Sequence, residues 1–199
     1  MVIQKEPVYE KNERERKEGI RPDIVVTADP QNHLVHHIEG IKNETKDIAL
    51  VAERFSNCKF LNAYQGATAL VISAGLAEAI DEKPEEYEVW DFSGTVSSLG
   101  IETAIQFGAK RIWLVGLDLA YPGGKQFASG TMNKKTATET EARIWVDSVQ
   151  GEKVETTHTF IYFKEIIEKQ IGRCRAVEFI NLSTAGARIA GTKENCIAE

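Results

Sequence analysis

The run RIWLVGLDL, residues 111–119, limits the possible folds more than any other stretch of the chain. It is far shorter than the roughly 18 apolar residues that a membrane-spanning helix needs. A run this apolar, with tryptophan and valine in it, is typical of a strand covered on both faces, as the strands of parallel sheets are. We therefore expect a buried parallel strand that delivers Asp118 and Tyr121 to its end.

The segment SGTVSSLGIETAIQFG, which precedes this strand, predicts a helix. Gly100, Ala104 and Gly108 recur every four residues, so one helix face is bare enough to lie close against a sheet. The helix is expected to begin within residues 94–96. Helix, strand and the following loop then form one α/β unit.

Strand and helix patterns alternate along the rest of the chain. Short β-branched or apolar runs predict strands, and apolar residues at helical spacing predict helices. The expected strands are 24–27, DIALVAE (47–53), KFLNAY (59–64), a hairpin that turns near Gln150 and Gly151, and AVEFINLS (176–183); the expected helices are 67–80 and one through Phe160, Phe163, Ile167 and Ile171. This alternation predicts an α/β fold with a mostly parallel sheet and a hairpin outside it.

Composition disfavours several classes of function. With 199 residues the chain can bury one core, and its net charge of −6 is wrong for non-specific nucleic-acid binding. No stretch is apolar enough for a signal peptide or a membrane span, and the three widely spaced cysteines suit a reducing compartment. We expect a cytoplasmic protein with one domain, residues 19–199, after a charged segment, residues 1–18.

Polar residues at the ends of expected strands form the first candidate site. Asp29, Asp118 and Asn181 each follow a strand, and ligands of open α/β sheets bind beyond the carboxyl ends of the strands. We therefore expect these three side chains to meet at one edge, with Tyr121 and Thr184 beside them. Aspartate and asparagine also end strands through their own turn chemistry, so a structural role stays open for each.

The start of the helix in SGTVSS is the second candidate. Gly94 and Thr95 would direct backbone N–H groups and a hydroxyl at an anion such as a phosphate. A threonine here is also an ordinary N-cap, which by itself is the better interpretation. Only the neighbouring strand-end acids favour an anion site.

Familiar nucleotide and hydrolase motifs are absent from the sequence. YPGGK fails the phosphate-loop pattern, because Leu119 stands where the first glycine is needed and Gln126 where serine or threonine is needed. The chain has neither G-x-G-x-x-G nor G-x-S-x-G. Dinucleotide enzymes and serine hydrolases are therefore disfavoured.

The histidines provide weaker candidates. His33 and His37 would share one face if their segment were helical, but Asp29 is the only third ligand nearby, so we expect no metal site there. His158 lies just ahead of a helix. It is either a general base or an exposed residue at a helix start, and both interpretations stay open.

Four segments of the chain, taken together, carry a family resemblance. They are GIRPDIVVTADP, SGTVSSLGIETAIQFGAKRIWLVGLDLAYPGGKQFASG, GEKVETTHTFIYFKEIIEKQI and NLSTAGARIAGT. The chain resembles the motility-associated factor (Maf) glycosyltransferase family over residues 19–192, and the shared domain also resembles archaeal hydroxymethyl-dihydropterin pyrophosphokinases. The resemblance implies a Rossmann-like three-layer sandwich related to bacterial sialyltransferases.

Both branches of the resemblance imply a nucleotide substrate. Maf transferases move a nonulosonic acid from a CMP-activated donor to serine or threonine of flagellin, while the pyrophosphokinases transfer diphosphate from ATP, with Mg²⁺, to a pterin alcohol. The residues that the resemblance places at the nucleotide are Gly94, Thr95 and Ser97, with Asp29 and Asn32 on the opposing loop.

The resemblance implies that Asp118 and Tyr121 lie beside the reacting group. By analogy with the sialyltransferases, His158 is the base for the acceptor hydroxyl. Asn181 and Thr184 lie in NLSTAGARIAGT, which carries the family motif N-x-[ST]-x-x-G-A-x-I-x-G, and they complete the expected binding residues.

Two departures from the family pattern bear on activity. Relatives open with a strand and a glycine loop like G-P-S-L, whereas a charged segment precedes RPDIVV here, so we expect the first strands of the family's sheet to be lacking. Phe127 also stands where many relatives have a histidine. A domain that binds the nucleotide without catalysis is therefore a third hypothesis.

Overall fold

The computed structural model describes residues 21–38, 42–80, 87–124 and 143–194. It divides into two compact units, Met1–Phe107 and Gly108–Glu199. Parallel sheets, covering helices and one hairpin confirm the expected α/β class. Within these four ranges no helix combines the length and apolarity that a membrane crossing demands. The charged segment 1–18 lies outside the described residues.

The first unit is built on a four-stranded sheet in the order β1-β2-β3-β4. Its strands are β1 (Ile24–Thr27), β2 (Ala49–Glu53), β3 (Thr68–Ser73) and β4 (Glu88–Trp90). Its helices are α1 (Cys58–Ala63), α2 (Ala74–Ala79) and α3 (Val96–Gln106), with 3-10 helices at Asn32–His37 and Lys42–Asp47. All three strand pairs are parallel, so the carboxyl ends of the four strands share one edge.

Helices cover both faces of this sheet, which gives the first unit three layers. One face packs on the 3-10 helix Asn32–His37 and on α1, with Phe60 at the centre of the contact. The other face packs on α3 through Leu99, which is fully buried. Because both faces are covered, all four residues of β1 are buried, as expected of a parallel strand.

Helix α3 begins where the sequence predicts. Thr95 is its N-cap, and the side chain accepts a hydrogen bond from the backbone N–H of Ser97 at 3.0 Å. Gly100 and Ala104 are buried, so the bare face packs inward. Gly108 lies beyond the end of the helix, where its φ of 76° explains the glycine.

The second unit contains a parallel sheet in the order β5-β8-β9 and a separate antiparallel hairpin, β6-β7. Its elements are β5 (Arg111–Leu114), a 3-10 turn (Pro122–Gly124), β6 (Arg143–Asp147), β7 (Lys153–Thr157), α4 (His158–Arg173), β8 (Glu178–Asn181) and β9 (Lys193–Glu194). The predicted hairpin, the helix through Phe160 and Ile171, and the strand in AVEFINLS are confirmed.

One glutamate links the three strands of the second sheet. Glu178 on β8 accepts hydrogen bonds from Lys193 on β9 and from Arg111 on β5. Both bonds hold the pKa of Glu178 below its usual value, and the bond from Lys193 has the larger effect. Glu178 is half-buried and both of its partners are exposed, so these ion pairs add little to stability.

Two predictions for the first unit are wrong. KFLNAY is predicted as a strand but lies in α1, because the Asn57 side chain caps this helix by accepting from Lys59 N–H and Phe60 N–H. The segment 67–80 is predicted as a single helix but divides into β3 and α2. An apolar run this short fits the spacing of a helix and that of a strand. Its first half is a strand because it pairs with β2 and β4.

The prediction that RIWLVGLDL is covered on both faces is also wrong. β5 includes only Arg111–Leu114, and its residues alternate between buried and exposed, with Trp113 48% exposed. The strand therefore ends before Asp118, and an irregular loop carries the chain to that residue.

Two glycines of the first unit provide a matched test of the packing. A Cβ at Gly66 would lie 2.0 Å from the Ile48 carbonyl oxygen and 2.4 Å from that of Thr45. Gly75 in α2 has no atom within 4 Å of such a Cβ. Gly66→Ala should lower the free energy of unfolding by about 3 kcal/mol, whereas Gly75→Ala should leave it unchanged or raise it by up to about 1 kcal/mol. Urea denaturation measures both, and equal effects would contradict the close approach.

Candidate functional site

The turn Ser93–Gly94–Thr95 lies at the entrance to α3 in the first unit. Gly94 has a φ of 68°, and Thr95 N–H donates to the Ser93 carbonyl at 2.8 Å. The Ser98 hydroxyl accepts from Ser93 N–H at 3.2 Å. Ser93 and Gly94 are exposed, so hydrogen bonds hold a solvent-facing turn in front of the positive end of the helix dipole.

Ser97, in the first turn of α3, is the most unusual residue at this place. It is only 6% exposed, and its Oγ has no hydrogen-bond partner among the described residues. Leaving a hydroxyl buried and unpaired costs about 1–3 kcal/mol. A ligand oxygen at the start of α3 would supply the missing partner.

Asp29 and Asn32 are held by the loop that follows β2. Asp29 Oδ1 accepts from Gln31 N–H at 2.7 Å, and its carbonyl accepts from Asn57 N–H at 2.9 Å. Asn57 Nδ2 donates to the Pro30 carbonyl at 3.2 Å and to Asn32 Oδ1 at 3.1 Å. Asn57 thus joins the loops after β1 and β2 while it caps α1. Asparagine is a common N-cap, but KFLNAY was predicted as a strand, so the sequence analysis did not identify Asn57 as the cap of a helix.

Glu53, the last residue of β2, is a group that the sequence did not reveal. Its Oε2 accepts from Phe55 N–H at 2.7 Å, while its Oε1 is buried and has no partner in the described part of the chain. Burial raises the pKa of this carboxyl, against the opposing effects of the Phe55 N–H and of Arg54. In register Glu53 stands opposite Val71, whose cluster includes Leu99, so it lies on the face that α3 covers.

In the second unit the structure brings Asp118 and Asn181 together through Ser183. The Ser183 hydroxyl donates to Asp118 Oδ1 at 2.6 Å, and Ser183 N–H donates to Asn181 Oδ1 at 3.0 Å. Ser183 was not among the predicted site residues. Only the fold reveals its function as a bridge, because Asp118 and Ser183 lie far apart in sequence.

Asp118 also holds the backbone of the following motif in place. Its carbonyl accepts from Ala187 N–H at 2.7 Å, and the Ser183 hydroxyl accepts from Gly186 N–H at 2.8 Å. A Cβ at Gly186 would lie 2.6 Å from the Asp118 Cα. The glycine of the N-x-[ST]-x-x-G-A motif is therefore required by this close approach.

Asn181, in the same cluster, is a buried polar side chain with one unpaired atom. It is 1% exposed, and its Nδ2 has no partner in the ranges that the structure describes. Its N–H groups are donors, so a ligand oxygen or a water molecule would satisfy them.

The other predicted residues of the second unit have different surroundings. Tyr121 is buried, with its ring centroid 5.1 Å from that of Phe160 and the Arg143 guanidinium 5.0 Å from its centroid. His158 is exposed at the start of α4, just after the N-cap Thr157. Thr184 is exposed in the loop after β8 and lies next to Ser183 in the chain. Tyr121 is thus part of the packing, and the other two face solvent.

The predicted residues fall equally into the two units. The first contains Asp29, Asn32, Gly94, Thr95 and Ser97, and the second contains Asp118, Tyr121, His158, Asn181 and Thr184. That Asp29, the Gly94 turn and Asp118 border one cleft stays a prediction. Phe127 lies outside the described residues.

No group of three or more His, Cys, Asp or Glu that could hold a metal ion is found in the part of the chain that the structure describes. The segment Asn32–His37, which carries the histidine cluster, forms a 3-10 helix.

Comparisons with known proteins agree with the motifs. The model of the family described as 6-hydroxymethylpterin diphosphokinase MptE-like matches residues 16–124, more than half of the chain. A solved structure of a Maf glycosyltransferase from Magnetospirillum magneticum AMB-1 matches with a TM-score of 0.69 at 16% sequence identity. The match covers 98% of this chain and 33% of that protein, so the chain spans about one third of its length. No curated protein sequence is significantly similar to the chain.

The half-buried carboxyl of Glu53 should make stability depend on pH. Because its folded pKa is raised above the ordinary 4.5, the folded state holds this proton more tightly than the unfolded state does. The stabilisation is complete below the ordinary value and is lost as pH rises through the folded pKa. Glu53→Gln keeps an oxygen for Phe55 N–H and should remove this loss, so its gain in denaturation midpoint over wild type should grow from about pH 4 to about pH 7.

Glu78 on α2 is exposed, and Glu78→Gln is the matched control, which should leave the pH dependence as in wild type. A Glu53→Gln curve parallel to wild type across this range would show that the carboxyl is not buried as described.

Proposed function

We propose, for a chain that belongs to the 6-hydroxymethylpterin diphosphokinase MptE-like family, that it binds a nucleotide phosphate at the start of α3 and acts as a Maf-type glycosyltransferase domain. The observation that carries the proposal is the Ser97 hydroxyl, which is buried and has no partner among the described residues. It lies at the positive end of an 11-residue helix, next to an exposed glycine turn. Buried polar groups are nearly always paired, so an unpaired one at a helix start favours a ligand there.

The chemistry of a phosphate fits this place. A phosphate oxygen accepts several hydrogen bonds and carries negative charge, which the N-terminal end of a helix dipole stabilises. Gly94 has no side chain to obstruct an approaching ligand, and the Thr95 cap keeps the first turn ordered. Ser97 would donate its hydroxyl proton to a phosphate oxygen.

The transfer proposed for this domain follows the Maf resemblance. The bond between the sugar carbon and the phosphate oxygen of a CMP-nonulosonic acid breaks, and CMP leaves with the electron pair. The acceptor hydroxyl, from serine or threonine of a flagellin-like protein, forms the new bond to that carbon and gives up its proton. His158 is the proposed base, and Asp118, oriented by Ser183, is the proposed partner of the reacting group.

A diphosphokinase is the second candidate, and the family model favours it. There the hydroxyl oxygen of a pterin alcohol would bond to the β-phosphorus of ATP and give up its proton, while the bond from that phosphorus to AMP breaks and AMP leaves with the electron pair. Mg²⁺ usually reaches such enzymes on the nucleotide phosphates with one or two carboxylates, so this candidate needs no protein-only metal centre. Asp29 and Asp118 are the proposed carboxylates, and changing either to asparagine should abolish the metal dependence.

A domain that binds the nucleotide without catalysis is the third candidate, and the departures from the family pattern motivate it. Slow hydrolysis of the donor sugar by water would distinguish an enzyme from such a domain. If that hydrolysis is present in wild type and vanishes in His158→Ala, the non-catalytic hypothesis is refuted.

A cytoplasmic setting is proposed for the protein. Cys58 is exposed, Cys174 is half-buried, and both are free thiols in the structure. Free exposed thiols persist in a reducing compartment.

The proposal predicts the effect of one hydroxyl on nucleotide affinity. Ser97→Ala should weaken the binding of CMP about tenfold or more in calorimetry, because a hydrogen bond to a charged group contributes about 1.5–3 kcal/mol. Thr103→Val is the matched control, since this buried threonine of the same helix bonds back to the Leu99 carbonyl at 2.8 Å. Its affinity for CMP should equal that of wild type.

Parallel titrations with ATP and Mg²⁺ decide between the first two candidates. Tighter binding of CMP supports the glycosyltransferase, and tighter binding of ATP with Mg²⁺ supports the diphosphokinase. If folded protein binds neither nucleotide at about millimolar concentration, both proposals fall.

A further inference from the structure

A groove in the first unit lies at the far end of α3, on the face of the sheet that this helix covers in part. Its volume is about 590 Å³, and it lies between the end of the helix and the starts of β3 and β4. Eleven helical residues extend about 16 Å, so the groove is well separated from the turn at Gly94. It is therefore a surface distinct from the proposed nucleotide site.

Apolar and aromatic side chains form the floor and the walls of the groove. Val51 and Val71, both buried, form its floor, and Trp90 and Phe107 form two of its walls. Phe107 is the residue that follows α3, and it is 65% exposed. A large exposed ring beside a concave surface is typical of a place where another molecule binds.

Two side chains give the groove hydrogen-bond acceptors. Glu88 Oε2 accepts from Trp90 Nε1 at 2.8 Å, and the carboxylate retains capacity for a further donor at Oε1. Gln106 donates through Nε2 to Glu102 Oε1 at 2.9 Å, so its carbonyl oxygen remains an acceptor. The groove also lies at the negative end of the α3 dipole. No lysine or arginine is among the described residues that line it, so its charges favour a cation.

Tyr87, which precedes β4, is held in place before any partner arrives. Its hydroxyl accepts from Arg54 Nη1 at 2.6 Å, and the Arg54 guanidinium lies 4.7 Å from the centre of its ring. Arg54 thus already occupies this ring, which leaves Glu88 and the rings of Trp90 and Phe107 for a cation from outside.

The strand β4, which carries Glu88 and Trp90, is an edge strand. It is the last strand of its sheet in the described ranges, and no strand pairs with its outer side there. Because Glu88 and Trp90 line the groove, Val89 between them faces the opposite way, and it is 50% exposed. An open edge of this kind offers backbone N–H and C=O groups to an extended chain.

We infer that this groove is the docking site for an extended segment of a partner protein, which pairs with β4 and places a lysine side chain in the groove. The lysine stem would lie along the rings of Phe107 and Trp90, and its ammonium would donate to Glu88 Oε1. Since successive side chains of an extended chain alternate between faces, apolar residues on either side of the lysine would lie beside Val89.

The geometry at Glu88 favours lysine over arginine. A guanidinium binds a carboxylate best through both oxygens at once, and the Trp90 indole already occupies Oε2. An ammonium is a compact charge that needs only Oε1. A purely apolar segment would cover the carboxylate without a partner, and an acidic segment would be repelled by it.

The test uses the full chain and the short peptide Ac-Thr-Val-Lys-Val-Thr-NH₂, and NMR follows the indole N–H signals of the three tryptophans. Trp113→Phe and Trp145→Phe, at positions that are 48% and 61% exposed, assign the remaining signal to Trp90. The Trp90 signal should shift and saturate, because its N–H bonds to the carboxylate that receives the ammonium. The other two signals should stay in place.

Changed peptides separate the charge from the backbone pairing. Norleucine in place of lysine keeps the apolar stem without the charge and should weaken binding about threefold or more. Arginine in that place should also bind more weakly than lysine. Two further peptides carry N-methyl groups, one at the valines and the other at the lysine and the last threonine. One of these two should lose the binding, because it cannot donate to β4.

Variants of the protein test the two sides of the lysine. Glu88→Gln should make the lysine and norleucine peptides bind equally, and Phe107→Ala should weaken the lysine peptide about threefold or more. Glu78→Gln, at an exposed glutamate of α2, is the matched control and should bind as wild type does. The inference does not rest on the proposed function, since CMP calorimetry on Glu88→Gln should match wild type whatever the peptide does.

Four outcomes would overturn the inference. Wild type could bind the lysine and norleucine peptides equally, or both N-methylated peptides could bind as the parent does. Butylammonium with the affinity of the lysine peptide would show that the groove takes a free amine and not a partner segment. A Trp90 signal that responds to protein concentration and not to peptide would assign this face to a second copy of the chain.

Discussion

The parallel pairing of neighbouring strands in the sheet β1-β2-β3-β4 is the constraint on which the first unit depends. A parallel strand cannot be joined to its neighbour by a tight turn, so each connection must cross a face of the sheet before the next strand begins. The crossings and α3 together cover both faces, which is why β1 is buried throughout and why Leu99 of α3 packs on the sheet. The same pairing gathers the strand ends, so Asn57 can join the loops after β1 and β2.

A few buried polar atoms of the structure have no hydrogen-bond partner. Within the described residues, three side-chain atoms are buried and unpaired: Glu53 Oε1, Ser97 Oγ and Asn181 Nδ2. Each stands at the carboxyl end of a strand or in the first turn of a helix. Other buried side chains of the described ranges are bonded, as the Thr156 hydroxyl is to the Leu119 carbonyl. Ligands of open α/β sheets bind beyond the carboxyl ends of the strands, and a buried unpaired group calls for an explanation, which is why the proposed nucleotide site starts from Ser97.

Local chemistry explains which parts of the fold were predictable. The start of α3 was predictable, because the cap at Thr95 and the small residues of the buried face act within a few turns of the helix. KFLNAY was mistaken for a strand because the spacing of its apolar residues fits a strand as well as a helix. The cap at Asn57 favours the helix. β5 was expected to be covered on both faces, yet what packs on a strand is decided by segments distant in sequence, and Trp113 remains half-exposed.

The sequence alone determined the α/β class, the start of α3, the hairpin and the family to which the motifs point, because these depend on the order of neighbouring residues. Only the tertiary structure decided that Ser183 bridges Asp118 and Asn181, that Gly186 lies against the Asp118 backbone, and that half-burial raises the pKa of Glu53. Hydrogen-bond partners and desolvation depend on which distant segments come within a few ångströms of one another, and no local pattern contains that distance.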